Sequence, residues 1–294
     1  MIPHGRSQPG RSSARTSPAA PLHAVRMAGR VMTAFIALFI LGASAVRAAD
    51  APTVYMDELT WTEVRDAIGA GKTTVIVPVG GTEQNGPHMA LGKHNVRVRF
   101  LSGRVAAALG NALVAPVLAY APEGSIDPPT GHMRFPGTIT IPDAAFEEIL
   151  LSTARGYRSH GFRDVVFLGD HGGYQKQMKK AAEKLNREWA GTPARAHVVE
   201  EYYEAVSKDY VAALKARGFG EKEIGLHAGL ADTSLMLAID PSLVRTDRMK
   251  TAGAEKGDGV NGDPAQSTST LGKIGVDLIV KRTVEAIRRE TTRP

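Results

Sequence analysis

Between Pro78 and Asn95 the chain reads PVGGTEQNGPHMALGKHN, crowding Glu83, Gln84, Asn85, His88 and His94 into one short polar segment. Carboxylates and imidazoles are the donors a borderline divalent cation takes when thiolates are absent, and the chain contains no cysteine. Glu83 and His94 stand eleven positions apart. Gly86-Pro87 forces a turn between them, because glycine reaches unusual dihedrals and proline fixes φ. Both side chains could therefore converge on one cation, provided that other parts of the chain supply further ligands.

Two more stretches have the same make-up. Gly169-Asp170-His171-Gly172-Gly173 follows a short apolar run, and His227-Ala228-Gly229 leads through Leu230-Ala231 into Asp232-Thr233-Ser234. The elements that must position them are legible from periodicity. Thr74 to Val79 is an apolar run too short for a helix and reads as a buried strand, as does Val165 to Leu168. Ala112 to Leu118 and a run around Ala196 to Glu200 read as further strands. Leu59 to Gly71 reads as a helix capped by Thr60, with Glu63 three residues on. Helices are also expected over Val96–Leu109, Asp143–His160, Gln175–Trp189, Asp209–Arg217 and Leu271–Arg289. Strands alternating with helices imply an α/β fold with a parallel or mixed sheet covered on both faces. Ligand sites of such sheets lie at the carboxyl ends of strands, where the first two polar clusters fall. Gly71-Lys72-Thr73 is a poor phosphate-binding loop, since it precedes a strand and Asp66 stands where the first glycine is needed.

Residues 1–48 contain six arginines and no lysine or acidic residue, followed by an apolar run from Val31 to Leu41 and small residues to Ala48. This is the make-up of a secretory signal, with Val46 and Ala48 placed for cleavage before Ala49. The apolar run falls short of the roughly 20 residues a membrane span needs, although an uncleaved anchor is the other reading, and Met27 could be the true start. The composition has 36 Lys plus Arg against 30 Asp plus Glu; without the six leader arginines the balance is even. No basic patch remains to suggest nucleic-acid binding. Residues 49–294 are expected to form one domain in the periplasm or outside the cell.

The motifs together resemble the creatininase family of metal-dependent amidohydrolases, from Leu59 to about Ile287. The resemblance rests on Pro78-Val79-Gly80-Gly81-Thr82-Glu83-Gln84-Asn85-Gly86-Pro87-His88, Phe135-Pro136-Gly137-Thr138, Asp170-His171-Gly172-Gly173, His227-Ala228-Gly229 with Asp232-Thr233-Ser234, and Gly259-Val260-Asn261-Gly262-Asp263-Pro264. It implies a three-layer α/β/α sandwich with a mostly parallel sheet. The family pattern is E-Q-H-G-P-H followed six residues later by an aspartate bridging two metals. Here Asn85 stands for the histidine, His94 for the bridging aspartate, and Asp232 for the glutamate of E-T-S. An imidazole has one lone pair to give and cannot bridge as a carboxylate does.

The resemblance therefore implies one divalent ion rather than two, zinc first with manganese or iron as alternatives. Glu83, His94 and His171 would be its ligands, with a water in the open place. His227 matches the catalytic histidine that protonates the departing nitrogen. Asp232 is expected as a base or as a partner of His171 or the water, although as a plain helix cap it would look the same. Asn85, His88 and Tyr174 are candidate substrate contacts; loop ordering is the other reading for His88, and plain packing for Tyr174. His132 has no assigned role. The expected activity is hydrolysis of a non-peptide or cyclic carbon–nitrogen bond (amide, lactam or formamide) in a small molecule. A short-peptide-trimming peptidase and a non-catalytic binding protein with a decayed site are the rivals. A homo-oligomer, as a hexamer, is implied by the family alone.

Overall fold

The structure is a computed structural model that describes residues 51–254 and 257–292. The secretory signal expected over residues 1–48 lies outside the described residues. Strands β1 (Thr74–Val79), β2 (Ala112–Val114), β3 (Asp164–Gly169) and β4 (Arg195–Val198) form one sheet in the order β2-β1-β3-β4, with every pair parallel. Every residue of β1 and β3 is buried, as a sheet covered on both faces requires.

Alternate side chains of the strands serve opposite cores. Ile76, Val114, Val166 and Leu168 face one core; Val75, Val77, Leu113, Val165 and Phe167 face the other. Nine α-helices are present among the described residues: α1 (Trp61–Gly69), α2 (Lys93–Leu109), α3 (Asp143–Ser159), α4 (Gln175–Glu188), α5 (Glu200–Glu204), α6 (Val211–Lys215), α7 (Glu221–Ile224), α8 (Leu230–Ile239) and α9 (Ser269–Thr291). Helices α1, α3 and α4 fill the second core, and α2 with α5 to α9 fills the first. This is the three-layer α/β/α arrangement.

Local signals explain several boundaries. Glu63 N–H donates to the Thr60 hydroxyl at 3.3 Å and Thr60 N–H donates to the Glu63 carboxylate at 2.7 Å, closing the box that starts α1. The second strand stops at Val114 rather than reaching Leu118, because Pro116 has no N–H for the ladder; Leu118 rejoins through a single bridge to Val79. Helix α2 begins three residues earlier than the periodicity predicts, so Lys93 and His94 open it. Between α5 and α6 a π-helical stretch, Ala205–Tyr210, continues the helix. Helix α8 is capped at Gly229, which puts Asp232 in its first turn rather than at its cap.

The topology decides where a ligand can sit. From β1 the chain moves outward to β2, then crosses back to place β3 on the other side of β1. The carboxyl ends of β1 and β3 therefore flank the switch point where open α/β sheets bind ligands. The two polar loops, residues 80–92 and 170–174, leave from these ends. Gly81 (φ +152°) lets its loop pass Glu123 closely, since a Cβ there would meet Glu123 Oε1 at 2.5 Å. Among the described residues no helix is long and apolar enough to cross a membrane.

Candidate active site

Glu83 is fully buried at the mouth of the β1/β3 crevice, ringed by four imidazoles. Its Oε1 lies 2.7 Å from His94 Nε2 and 3.6 Å from His227 Nδ1. Its Oε2 lies 3.2 Å from His132 Nε2 and 3.7 Å from His171 Nε2, yet makes no hydrogen bond. One donor atom from each of Glu83, His94 and His171 falls within 4.8 Å of the other two, and the same holds for Glu83, His132 and His227. The three residues expected as ligands are thus brought together. A second set shares their carboxylate.

The chemistry around His94 tests whether a cation fits. Its Nδ1 meets Asp170 Oδ2 at 2.6 Å, and a carboxylate partner places the proton on that nitrogen, as behind metal-bound histidines. The lone pair of Nε2 then faces the carboxylate oxygen of Glu83 at 2.7 Å. Two lone pairs at that separation repel unless a proton or a cation lies between them. The buried Oε2 has no hydrogen-bond partner of ordinary geometry and can take either a cation or the proton of the adjacent Glu123. One carboxylate with neighbouring imidazoles suits zinc, manganese or iron, so the residues fit a divalent ion.

Burial opposes charge on the Glu83 carboxyl, but His94, Lys93 and His171 together overrule it and hold the group well below the usual carboxylate range. Burial, with His94 nearby, lowers His171 to about 4. Burial and the Lys93 charge lower His227 to about 3. Both imidazoles are therefore neutral at physiological pH, as ligands and proton acceptors must be. His227 Nε2 lies 2.9 Å from the Gln84 carbonyl; donating its proton there leaves the Nδ1 lone pair facing Glu83. Glu123 sits behind the cluster, its Oε2 3.7 Å from His171 Nδ1. Burial and the adjacent Glu83 push Glu123 up to about 9, so it is a neutral acid.

The other four residues singled out in the sequence take these positions. Asp232 borders the cavity but makes no bond to His171: Arg97 Nη1 donates to its Oδ1 at 2.6 Å, and Ala228 N–H and Lys93 Nζ approach Oδ2 at 3.0 and 3.3 Å. It anchors Lys93 and Arg97 and holds Ala228 in its positive-φ turn (φ 54°); the carboxylate that meets His94 is Asp170. Tyr174 is fully buried, and its hydroxyl accepts from Asp170 N–H and His171 N–H and faces the Val79 and Gly80 carbonyls. It pins the two strand ends and cannot touch substrate. Asn85 and His88 are likewise fully buried. Asn85 donates to the carbonyls of Glu83 and Ala90, and His88 Nε2 bonds the Thr233 hydroxyl at 2.9 Å. Both order the loop rather than face the cavity.

The sequence reading missed His132, Glu123, Lys93, Arg97 and the orienting role of Asp170. His132 lies on the loop before Phe135 and its Nδ1 is 3.0 Å from Gln84 Nε2. Lys93 and Arg97, four apart, share a helix face, a pattern visible once the start of α2 is placed correctly. A cavity of about 250 Å³ opens beside the cluster. Val206, Val211, Ile224, Leu226 and Ala231 form an apolar side, with Tyr203 and Ser207 adding hydroxyls. The π-helical stretch turns Val206 and Ser207 into this wall.

Comparison with known proteins agrees with the residues. A family model described as Creatininase, creatinine amidohydrolase, matches residues 57–287. A creatinine amidohydrolase of Pseudomonas putida is 33% identical over 202 residues, covering 67% of this chain and 76% of that protein. A mycofactocin precursor peptide peptidase of Mycolicibacterium smegmatis is 29% identical over 237 residues, covering 73% of this chain and 84% of the relative. A solved mutant creatininase described as of Zn–Zn type superimposes with a TM-score of 0.68 at 28% identity, over 82% of this chain and 99% of that one.

Proposed function

Because the chain belongs to the creatininase family, we propose that it is a metal-dependent amidohydrolase holding one divalent ion, zinc first, between Glu83, His94 and His171. The observation that carries this reading is the convergence of those three donors on one buried point, with a carboxylate oxygen left unpaired by hydrogen bonding. When bound, such an ion supplies Lewis acidity and lowers the pKa of water.

The protein's own groups supply the rest. Asp170 fixes the orientation of His94 and leaves its Nε2 toward Glu83. Tyr174 locks the carboxyl ends of β1 and β3, so Glu83 and His171 keep their separation. His227, neutral and with Nδ1 free, takes a proton from the attacking water and passes it to the departing nitrogen. Its low proton affinity favours the second transfer. The acyl carbon gains the water oxygen, the carbon–nitrogen bond breaks, and the amine leaves protonated.

The compact cavity and its apolar side favour a small amide, lactam or formamide. The peptidase relative supports a second reading in which a short peptide end enters the same cavity. Neither a decayed binding site nor creatinine itself is favoured by a donor cluster this complete and this altered. The family and the arginine-rich leader support an exported homo-oligomer. Purified protein should be assayed for bound metal and screened with lactams and formamides beside short peptides. Hydrolysis of the first group that chelator abolishes and zinc restores supports the reading; cleavage of peptides alone favours the second. No turnover in a metal-loaded protein overturns both.

A further inference from the structure

Glu83 carries two donor sets, and only one of them is assigned above. Lys93 lies where the second would have to load. Its ammonium is sealed from water, 1% exposed, with Nζ 3.6 Å from Glu83 Oε1 and 3.3 Å from Asp232 Oδ2. Oε1 is the oxygen that His227 Nδ1 also approaches. We propose that Lys93 is a resident cation that takes the place of a second metal and restricts the site to one divalent ion. This rests on the hydrolase reading and deepens it.

Three observations agree. Lys93 opens the first turn of α2, where the helix dipole disfavours positive charge, and Arg97 stands one turn further on. They are held there by the buried Glu83 and Asp170 and by Asp232 at the cavity's edge. Buried ammonium and guanidinium groups persist only when carboxylates compensate them. Four carboxyl groups, those of Glu83, Glu123, Asp170 and Asp232, gather around these two cations. One divalent ion is enough to balance them even when all four are ionised, whereas two ions would leave an excess of positive charge beside a lysine and an arginine that are almost wholly covered. Any ion at Glu83, His132 and His227 would also sit beside the ammonium, and like charges at such distances repel strongly in a site of low dielectric. Lys93 thus acts as a positioning residue that holds Asp232 and Glu83 as a second cation would.

The test counts ions. Full-length protein and its Lys93→Gln and Lys93→Arg variants are loaded with zinc, dialysed, and measured for ions per chain by plasma mass spectrometry and for affinity by chelator competition. The expected result is one ion in the wild type and in Lys93→Arg. Lys93→Gln should take a second ion, or bind the first about tenfold more tightly or better once the repulsion is gone. Two ions in the wild type overturn the role of Lys93 while leaving the hydrolase reading intact; no ion overturns both. An unchanged count and affinity in a folded Lys93→Gln protein also overturns it. If that variant does not fold, the wild-type stoichiometry by calorimetric titration decides alone.

Discussion

His94 and Asp170 meet at 2.6 Å across the crevice between β1 and β3, and this contact joins the first turn of α2 to the second polar loop. Asp170 is fully engaged: Arg97 Nε donates to the same oxygen at 2.8 Å, and the Tyr202 hydroxyl donates to the other at 2.5 Å. A side chain so constrained aims His94 Nε2 at Glu83 with little freedom. Orientation of this kind is what a ligand needs before the ion arrives.

Asp170→Asn should therefore weaken metal binding by about 10–100-fold, the usual cost of losing a carboxylate behind a ligand histidine. Chelator competition on the purified variant measures it. Affinity equal to the wild type would remove Asp170 from the site.

His227→Ala should keep its metal and lose turnover by about 10²–10⁴-fold, the contribution of a positioned proton carrier. Metal analysis and steady-state kinetics together separate this from loss of the ion. A variant that loses metal as well as rate would make His227 a ligand instead.

Arg97→Met should destabilise the fold by about 3–5 kcal/mol, because it leaves Asp170 and Asp232 short of their buried partner. Denaturant unfolding followed by circular dichroism reads the change. A loss within experimental scatter would contradict the sealed network around Arg97.

Tyr174→Phe should cost about 1–3 kcal/mol of stability, since the buried N–H groups of Asp170 and His171 lose their acceptor. Its KM should stay near that of the wild type. A raised KM at unchanged stability would instead return Tyr174 to the substrate.

Glu123 predicts a pH dependence in the metal-free protein. Burial and the neighbouring Glu83 raise it from 4.5 to about 9, against an opposing pull from Lys93, and His171 faces it as well. Between those values the folded protein keeps a proton that the unfolded chain has released. Its contribution to stability is therefore complete below the unfolded value and is lost as pH rises toward 9, at no more than about 1.4 kcal/mol per pH unit. Unfolding series at several pH values should find this slope flattened in Glu123→Gln. An equal slope in both proteins would place the titration elsewhere.

Much of this was legible in the chain itself. The apolar run Thr74 to Val79 could only be a strand buried on both faces, and Thr60 with Glu63 could only open a helix, because these signals lie within a few residues of each other. Motif order identified Glu83, His94, His171 and His227 for the same reason: each stands at a strand end or helix start that local pattern marks. Side-chain partners were not legible. Asp170 and Asp232 are both acids in short motifs that also hold a histidine and a glycine, and nothing in the sequence says which of them meets His94. The start of α2 was misplaced because Lys93 and His94 look like polar loop residues until carboxylates from three other segments, at Glu83, Asp170 and Asp232, meet them.

The sequence by itself thus determined the layered fold, the family and three of the imidazoles that gather at Glu83. Only the tertiary structure decided that Asp170 orients His94, that Tyr174 is a strand clamp, and that Lys93, Arg97 and Glu123 are buried with the cluster. The reason is physical. Element type follows from short-range periodicity and capping, whereas the charge state and role of a buried polar group depend on which distant groups share its low-dielectric surroundings.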